Sequence, residues 1–426
     1  MFGVNDGFDI VIGNPPYIQL QNNNGELSER YKHCGFQTFK KTGDIYSLFY
    51  ERGWQLLKEN GHLCYITSNK WMRAGYGDKT RAFFTQRANP LLLIDFAGIK
   101  IFESATVDTN ILLFEKSSYS SQTTCAIVNN QNKDSVVNNL SDFVQQEHIL
   151  CRFSNDESWV ILSPIEQSIK RKIEAAGTPL KYWDIQIYRG VLTGCNEAFI
   201  ISTEKRDEIL ANCQTEEERS RTADLIRPIL RGRDIKRYGY NWANLWIINT
   251  HNGIKGKLAR IEVNEYPAIK AHLDQYWDKI SKRADKGDTP YNLRNCVYME
   301  DFSKQQIIWI ELSDEPKFAL VENITSLNTI FFMTGKHILH VLGLLNSKLI
   351  TWYFHRCIGT TSGVGTNRWL KYTIEQIPMV TANKKLEFMV SSISKRYKID
   401  VNIAIDNFIC KLYTLTEEEM DFIINQ

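Results

Sequence analysis

The run Phe8-Asp9-Ile10-Val11-Ile12-Gly13 is short, β-branched and largely apolar, the pattern of a buried parallel strand. It stops in Asn14-Pro15-Pro16-Tyr17, where two consecutive prolines cannot continue a ladder. The loop therefore leaves the carboxyl end of the strand, the place where ligands bind in open α/β sheets. Asp44 can cap a helix whose Ile45, Leu48, Phe49 and Leu56 fall on one face, closed by Glu59-Asn60-Gly61. A strand over 62–67, a helix over 77–88 and strands over 91–96 and 110–115 follow, an alternating α/β order. From Ser117 to Ser158, Ser, Asn and Gln dilute the apolar pattern, although Thr124 to Val128 still reads as a strand. Beyond Leu180, Asp184 to Arg189 reads as a strand and Gly190 to Phe199 as a turn feeding another strand, Phe199 to Ser202. After Pro378, Leu386, Phe388, Met389 and Ile393 mark a helix, with Asp400 to Thr414 and Glu417 to Ile424 as two more. The expected division is an α/β lobe over 1–116, a connecting region over 117–179, an α+β lobe over 180–378 and a helical segment over 379–426.

Composition adds limits. The 426 residues are 43% hydrophobic and 23% charged, which suits a packed protein and excludes a disordered or collagen-like one. Lys+Arg 51 against Asp+Glu 49 leaves a charge of +2, so any basic face must be local. The 9 cysteines show no C-x-x-C and no spacing for zinc, and are expected to be free thiols of a reducing, cytoplasmic compartment. No metal is expected. The amino terminus has no basic n-region, and no apolar run reaches bilayer-spanning length, so neither export nor membrane embedding is expected.

Asn-Pro-Pro-Tyr has a chemical reading. The lone pair of a nucleobase amine is delocalised into its ring, so the nitrogen is a poor nucleophile toward a methyl sulfonium. The Asn14 side-chain carbonyl and the Pro15 backbone carbonyl, held by Pro15 and Pro16, can accept both amine hydrogens and localise that pair. Tyr17 offers an aromatic face for stacking an extruded base. The same tetrapeptide is also ordinary turn punctuation, and that alternative stays open on the residues alone.

In the second lobe, Arg227-Pro228-Ile229-Leu230-Arg231-Gly232-Arg233-Asp234-Ile235-Lys236-Arg237-Tyr238 sets five basic residues against one acid. Arg231, Arg233, Lys236 and Arg237 suit contact with phosphate or guanine, while a solvated charged face is the equally open alternative. The glycines around Thr193 permit a close backbone approach. Further basic candidates are Arg189, Arg283, Lys286 and Arg294, then Arg368 and Lys371 after the loop Thr360 to Thr366. Trp242, Trp246 and Trp309 read as core.

The stretch Asn14 to Tyr17, then Asp44 to Arg52, Asn60 to Trp71 and Ile101 to Lys116, resembles the later motifs of adenine-N6 DNA methyltransferases, above all the type IIG restriction–modification enzymes and TaqI-like methyltransferases. The stretches Gly190 to Phe199, Pro228 to Tyr238, Asn244 to Thr250, Arg283 to Arg294, Val341 to Tyr353 and Gln376-Ile377-Pro378 are similar to the TaqI-like carboxyl-terminal specificity domain. The resemblance implies a partial Rossmann-like methyltransferase domain holding the later strands of its sheet. It implies S-adenosyl-L-methionine as cofactor, touched here by Asn14 and Pro15. The implied partner is double-stranded DNA in a bacterial cytoplasm. Phe102 is the matching residue for the aromatic that packs on the flipped adenine, though a core aromatic is an equal reading of that residue.

One departure goes with the match. In the family a strand, a Gly-rich loop and a helix for the cofactor come before Asn-Pro-Pro-Tyr, whereas only thirteen residues precede Asn14 here, and Gly3, Gly7 and Gly13 do not form that loop. The expectation is the back portion of a longer enzyme, partnered by its amino-terminal half, with the strand Phe8 to Gly13 left as an apolar edge. The rivals are a DNA-specificity module without turnover, and a methyltransferase acting on protein glutamine or RNA bases; the long second lobe argues against the latter.

Overall fold

The computed structural model describes residues 6–96, 99, 101–102, 107–128, 132, 139–154, 157–359, 361–362 and 366–425. The chain forms two compact units, Met1–Arg171 with His355–Asn367, and Lys172–Phe354 with Arg368–Gln426. Gly3, Glu103 to Thr106, Thr360 and Gly363 to Gly365, all part of stretches singled out above, lie outside the described residues.

The first unit contains β1 (Phe8–Gly13), α1 (Asn22–Tyr31), α2 (Ile45–Leu56), β2 (Leu57–Ser68), α3 (Asp78–Arg87), β3 (Asn89–Asp95), β4 (Thr109–Glu115), β5 (Thr123–Ile127) and β6 (Ile149–Cys151). Its sheet has the order β1-β2-β4-β3-β5-β6. β1 runs parallel to β2, β4 lies antiparallel between β2 and β3, and β5 is parallel to β3. Strands β1, β2, β3 and β5 therefore all end on one edge of the sheet. Alternation sets the faces: Leu63, Tyr65 and Thr67 of β2 are buried, while His62, Cys64 and Ile66 are less so. The core is strongly aromatic, with Tyr50 and Phe84 centred 5.0 Å apart and Trp71 and Phe84 5.1 Å apart.

Three expectations change. β1 is parallel as expected and lies at the edge of the sheet, so the exposed apolar edge is found and the buried strand is not: Ile10 is 68% exposed and Ile12 78%. Phe49 and Leu56 do not belong to the buried face of α2, being 39% and 37% exposed. That face is centred on Tyr46, Tyr50 and Gly53, at helical spacing. The tyrosines are buried because their hydroxyls are satisfied, Tyr50 on Thr67 at 2.9 Å and Tyr46 on Tyr76 at 2.8 Å. Gly53 is needed because a β-carbon there would lie 2.3 Å from a Leu63 methyl. Finally, the region expected over 117–179 to be connecting is in part sheet: β5 falls on the strand expected at Thr124 to Val128, β6 was not expected, and buried Cys125, Phe153 and Trp159 join the core.

The second unit holds two four-stranded sheets. One comprises Thr325–Ser326, Ile226–Leu230, Leu245–Ile248 and Ile200–Ser202; the other Ala319–Val321, Gln306–Ile310, Ile330–Gly335 and Ile185–Arg189. Trp309 is buried, and Trp242 and Trp246 pack half-buried against the separate core cluster of Ile226, Ile229, Ile247 and Ile248. Helices Lys384–Lys395, Ile399–Leu412 and Glu417–Ile424 follow. The first buries Leu386 and Ile393, but Phe388 is 78% exposed. No helix among the described residues is long and apolar enough to cross a membrane.

The close approach read into the Gly190 turn is made by the chain itself. Gly190 N–H donates to Ile330 O, Val191 N–H to Ser326 O, and a β-carbon on Gly190 would stand 2.2 Å from Leu327 O and 2.3 Å from Ser326 O. Both obstacles are backbone and cannot rotate away. Gly190→Ala should therefore destabilise the second unit by roughly 1–3 kcal/mol or more, read as a lower denaturation midpoint at constant slope. A midpoint equal to wild type would contradict this account of the turn.

Candidate active site and nucleic-acid interface

Asn14-Pro15-Pro16-Tyr17 leaves β1 on the edge where the parallel strands end. Asn14 and Pro16 are exposed, Pro15 is buried and Tyr17 is half-buried. The Tyr17 hydroxyl lies 2.9 Å from Asn14 Oδ1 and 3.3 Å from Ile66 O of β2. This contact orients the Asn14 amide with its oxygen toward Tyr17, and the second lone pair of that oxygen is left for another donor. The Tyr17 ring meets Tyr46 edge-on at 6.2 Å and Phe102 at 6.5 Å with a 55° tilt. Phe102 is itself only partly buried. The structure thus brings Asn14, Tyr17 and Phe102 to one place. Burial, with Asp44 nearby, pushes the Tyr17 hydroxyl up to about 12, so it stays protonated at neutral pH and acts as a donor.

The exit of the loop is clamped by the residues before α2. Ile18 N–H donates to Asp44 Oδ1 at 2.9 Å, Ile45 N–H to Ile18 O at 2.9 Å and Leu20 N–H to Gly43 O at 2.9 Å. Asp44 was expected as a helix cap. Its carboxylate instead also fixes the residue that follows Tyr17. Burial pushes its carboxyl above the ordinary range, opposed by the backbone N–H groups of Ile18, Tyr46 and Ile45. Along the same sheet edge, Asn69 donates to Asp95 at 2.8 Å, and burial raises the Asp95 carboxyl against the pull of Arg73.

The basic candidates of the second unit fall into groups. Arg189 bonds Glu311 at 2.7 Å and lies 4.7 Å over the Phe331 ring; Arg368 pairs with the same Glu311; Lys371 reaches Ile187 O at 3.2 Å. Glu311 therefore gathers Arg189 and Arg368 beside Lys371. Arg231 is turned onto Asp234 through Nε at 3.0 Å and Nη2 at 2.8 Å, while Arg227, whose Nε donates to Asp224 O at 3.0 Å, Arg233 and Lys236 are the exposed cations of that run. Arg237 is engaged by Asn346 O and lies 3.7 Å from Asp406. Arg294 pairs with Asp285 at 3.2 Å. Thr193 is buried, its hydroxyl on Asn196 at 2.5 Å. Arg283 is a structural staple rather than a surface cation. It bonds the carbonyls of Thr193, Asp285, Pro290 and Asn292, and burial brings its guanidinium down to about 10.

Comparison with known proteins now bears on these two sites. Residues 1–102 match the family described as Eco57I restriction-modification methylase, and residues 227–379 match the TaqI-like C-terminal specificity domain. The chain is thus similar to an Eco57I-type methylase over its first residues and to a TaqI-like specificity domain further on. It is 25% identical over 297 residues to the type II methyltransferase M.BstVI of Geobacillus stearothermophilus, covering 65% of this chain and 49% of that protein. To the type II methyltransferase M.PaeR7I of Pseudomonas aeruginosa it is 24% identical over 295 residues, 67% of this chain and 48% of that one. The chain thus spans about half the length of the curated relatives it matches. The solved type IIL restriction-modification enzyme MmeI, in complex with DNA, superposes with a TM-score of 0.55 at 13% identity over 98% of this chain and 54% of its own, which shows a shared fold.

In the Eco57I-type segment, sequence reasoning missed Asp44, Tyr46 and Tyr76 as neighbours of the loop. Asp44 had a visible signal only as a cap, because its bond to Ile18 spans 26 residues of chain. Asp44→Ala leaves the Ile18 N–H unpaired and should cost roughly 1–2 kcal/mol, with faster amide exchange at Ile18 and Leu20. Asp44→Asn keeps an acceptor oxygen and should recover most of the protection. Equal exchange in wild type and Asp44→Ala would contradict the clamp.

Proposed function

We propose that this chain is the methyl-transferring and target-recognising portion of a type II restriction–modification enzyme that modifies the exocyclic N6 of adenine in double-stranded DNA. The observation that carries this reading is Asn14-Pro15-Pro16-Tyr17 at the end of a parallel strand, with Asn14 Oδ1 oriented by the Tyr17 hydroxyl and the Phe102 ring beside Tyr17. S-adenosyl-L-methionine, when bound, supplies an electrophilic methyl group. Asn14 Oδ1 and the Pro15 carbonyl would accept hydrogen bonds from the two amine hydrogens, and N6, once it carries the methyl group, would release one of those protons to water at the exposed Asn14. Tyr17 and Phe102 offer the extruded base its stacking faces. No ionised base is required, in keeping with an Asp44 carboxylate that is spent on backbone N–H groups.

Of the cofactor contacts, Asn14 and Pro15 are the ones we assign to this chain. β1 has one unpaired edge with Ile10 and Ile12 exposed, and the chain spans about half of its relatives. We take the partner to be a further methyltransferase segment that pairs along β1 and brings the remaining contacts. Arg233 and Lys236, with the Arg189–Arg368–Lys371 group around Glu311, are the proposed phosphate-gripping residues; phosphate contacts set register and base-edge contacts specify.

The test is the full chain, alone and co-expressed with a methyltransferase front half, given labelled S-adenosyl-L-methionine and duplex DNA, with nucleoside mass spectrometry of the product. N6-methyladenine should form in the assembled enzyme only. Asn14→Ala should lower that turnover by about 10²-fold or more, the scale for removing one preorganised polar group, with duplex affinity nearly unchanged. Methylated cytosine or protein, or equal loss of binding and turnover, would contradict the reading.

A further inference from the structure

A cavity of about 530 Å³ in the second unit is lined by Lys236, Arg237, Tyr238, Tyr240, Ser394, Lys395 and Tyr397, among others. It lies where a two-residue hairpin meets the end of the helix Lys384–Lys395. Its walls are fixed. Ile235 pairs with Tyr240 and Lys236 with Gly239, which leaves Arg237 and Tyr238 as the turn. Tyr238 adopts a left-handed φ of 64° and its N–H donates to Phe318 O at 2.9 Å. The Tyr238 ring is buried, and the Arg237 guanidinium is held by Asn346 O and Asp406.

What the cavity presents is different in kind. Tyr240 and Tyr397 are 39% and 51% exposed, and the Tyr397 ring lies 6.4 Å from that of Tyr238. Lys236 and Lys395 are exposed and form no ion pair among the described residues, and the exposed Arg396 and Lys398 flank Tyr397 in the chain. Exposed tyrosine rings cost hydration with no packing return, and clustered unpaired cations repel one another. Both are relieved by a ligand that has a flat aromatic face and a phosphate. An inorganic anion would use the lysines and leave the rings idle; an apolar ligand would do the reverse. The volume falls within the roughly 300–1,000 Å³ of small-ligand sites and far exceeds a single ion.

We propose that this cavity is a nucleotide site that takes one nucleoside monophosphate unit, free or within an unpaired DNA strand, with Tyr240 and Tyr397 against the base and Lys236 and Lys395 on the phosphate. The inference deepens the DNA-binding reading of this unit, yet its test involves no methyl transfer, so the two can fail separately.

The full chain is titrated with dAMP, deoxyadenosine, inorganic phosphate and a labelled single-stranded oligonucleotide, with Tyr397→Ala and Lys236→Ala/Lys395→Ala as variants checked for unchanged melting. Tyr397→Ala should weaken nucleotide or strand binding about tenfold. The double lysine variant should flatten the log–log salt dependence of strand affinity by about 1.4, roughly 0.7 per contact on a single strand. Saturation by dAMP would support a free nucleotide as the source; binding of the strand without dAMP would support a nucleotide held within DNA. Phosphate competing as well as dAMP, or affinities unchanged in both variants, would overturn the proposal.

Discussion

Two consecutive prolines at the end of a parallel edge strand are the constraint on which the first unit depends. Pro15 and Pro16 have no backbone N–H, so the chain after Gly13 cannot extend its ladder with β2 and must turn off the sheet. The turn is then held by three anchors: the Tyr17 hydroxyl on Asn14 and Ile66, Asp44 on Ile18 N–H, and the backbone pairing of Ile18 and Leu20 with residues 43–45. A loop so tied keeps Asn14 exposed while Pro15 is buried and Tyr17 half-buried. That arrangement suits a group that must hold another molecule's amine in one orientation, since the ordering entropy has already been met in folding.

The second unit follows a different economy of charge. Most of its arginines are committed: Arg231 to Asp234, Arg237 to Asn346 and Asp406, Arg283 to four carbonyls, Arg189 and Arg368 to one glutamate. Such side chains shape loops as much as they present charge. Glu311 keeps two guanidiniums apart from free solution yet at the surface, where a phosphate could compete for them. Among the cations with no ion pair in the described residues, Lys236 and Lys395 line the cavity between the hairpin 235–240 and the end of the helix Lys384–Lys395, with Arg233 just before that hairpin in the chain.

Much of the fold was legible in the sequence because local pattern and tertiary role agree there. The alternation in β2, the apolar run of β4 and the helices after Pro378 follow from period alone. The misreadings have physical causes. Phe49 and Leu56 are apolar yet exposed, because hydrogen-bonded tyrosines and a close-packed glycine take the buried face of α2. Residues 117–171 look like a linker by composition, but Thr123 to Ile127 pairs with β3, a contact that no local window contains. Of the candidate site, Asn14 to Tyr17 was proposed from chemistry and Phe102 from resemblance alone, and the structure brings Asn14, Tyr17 and Phe102 to one place. Asp44 could not be seen as the loop's anchor, nor Arg231 as an internally satisfied cation, because each depends on which partner the fold brings within reach.

In the proposed function the loop after β1 receives an extruded base. The most direct measurement places 5-iodouracil at the target adenine's position in duplex DNA, irradiates the assembled enzyme, and maps the cross-linked peptide. The account predicts attachment at Tyr17, lost in Tyr17→Ala. Cross-linking confined to the second unit, or unchanged in that variant, would contradict it.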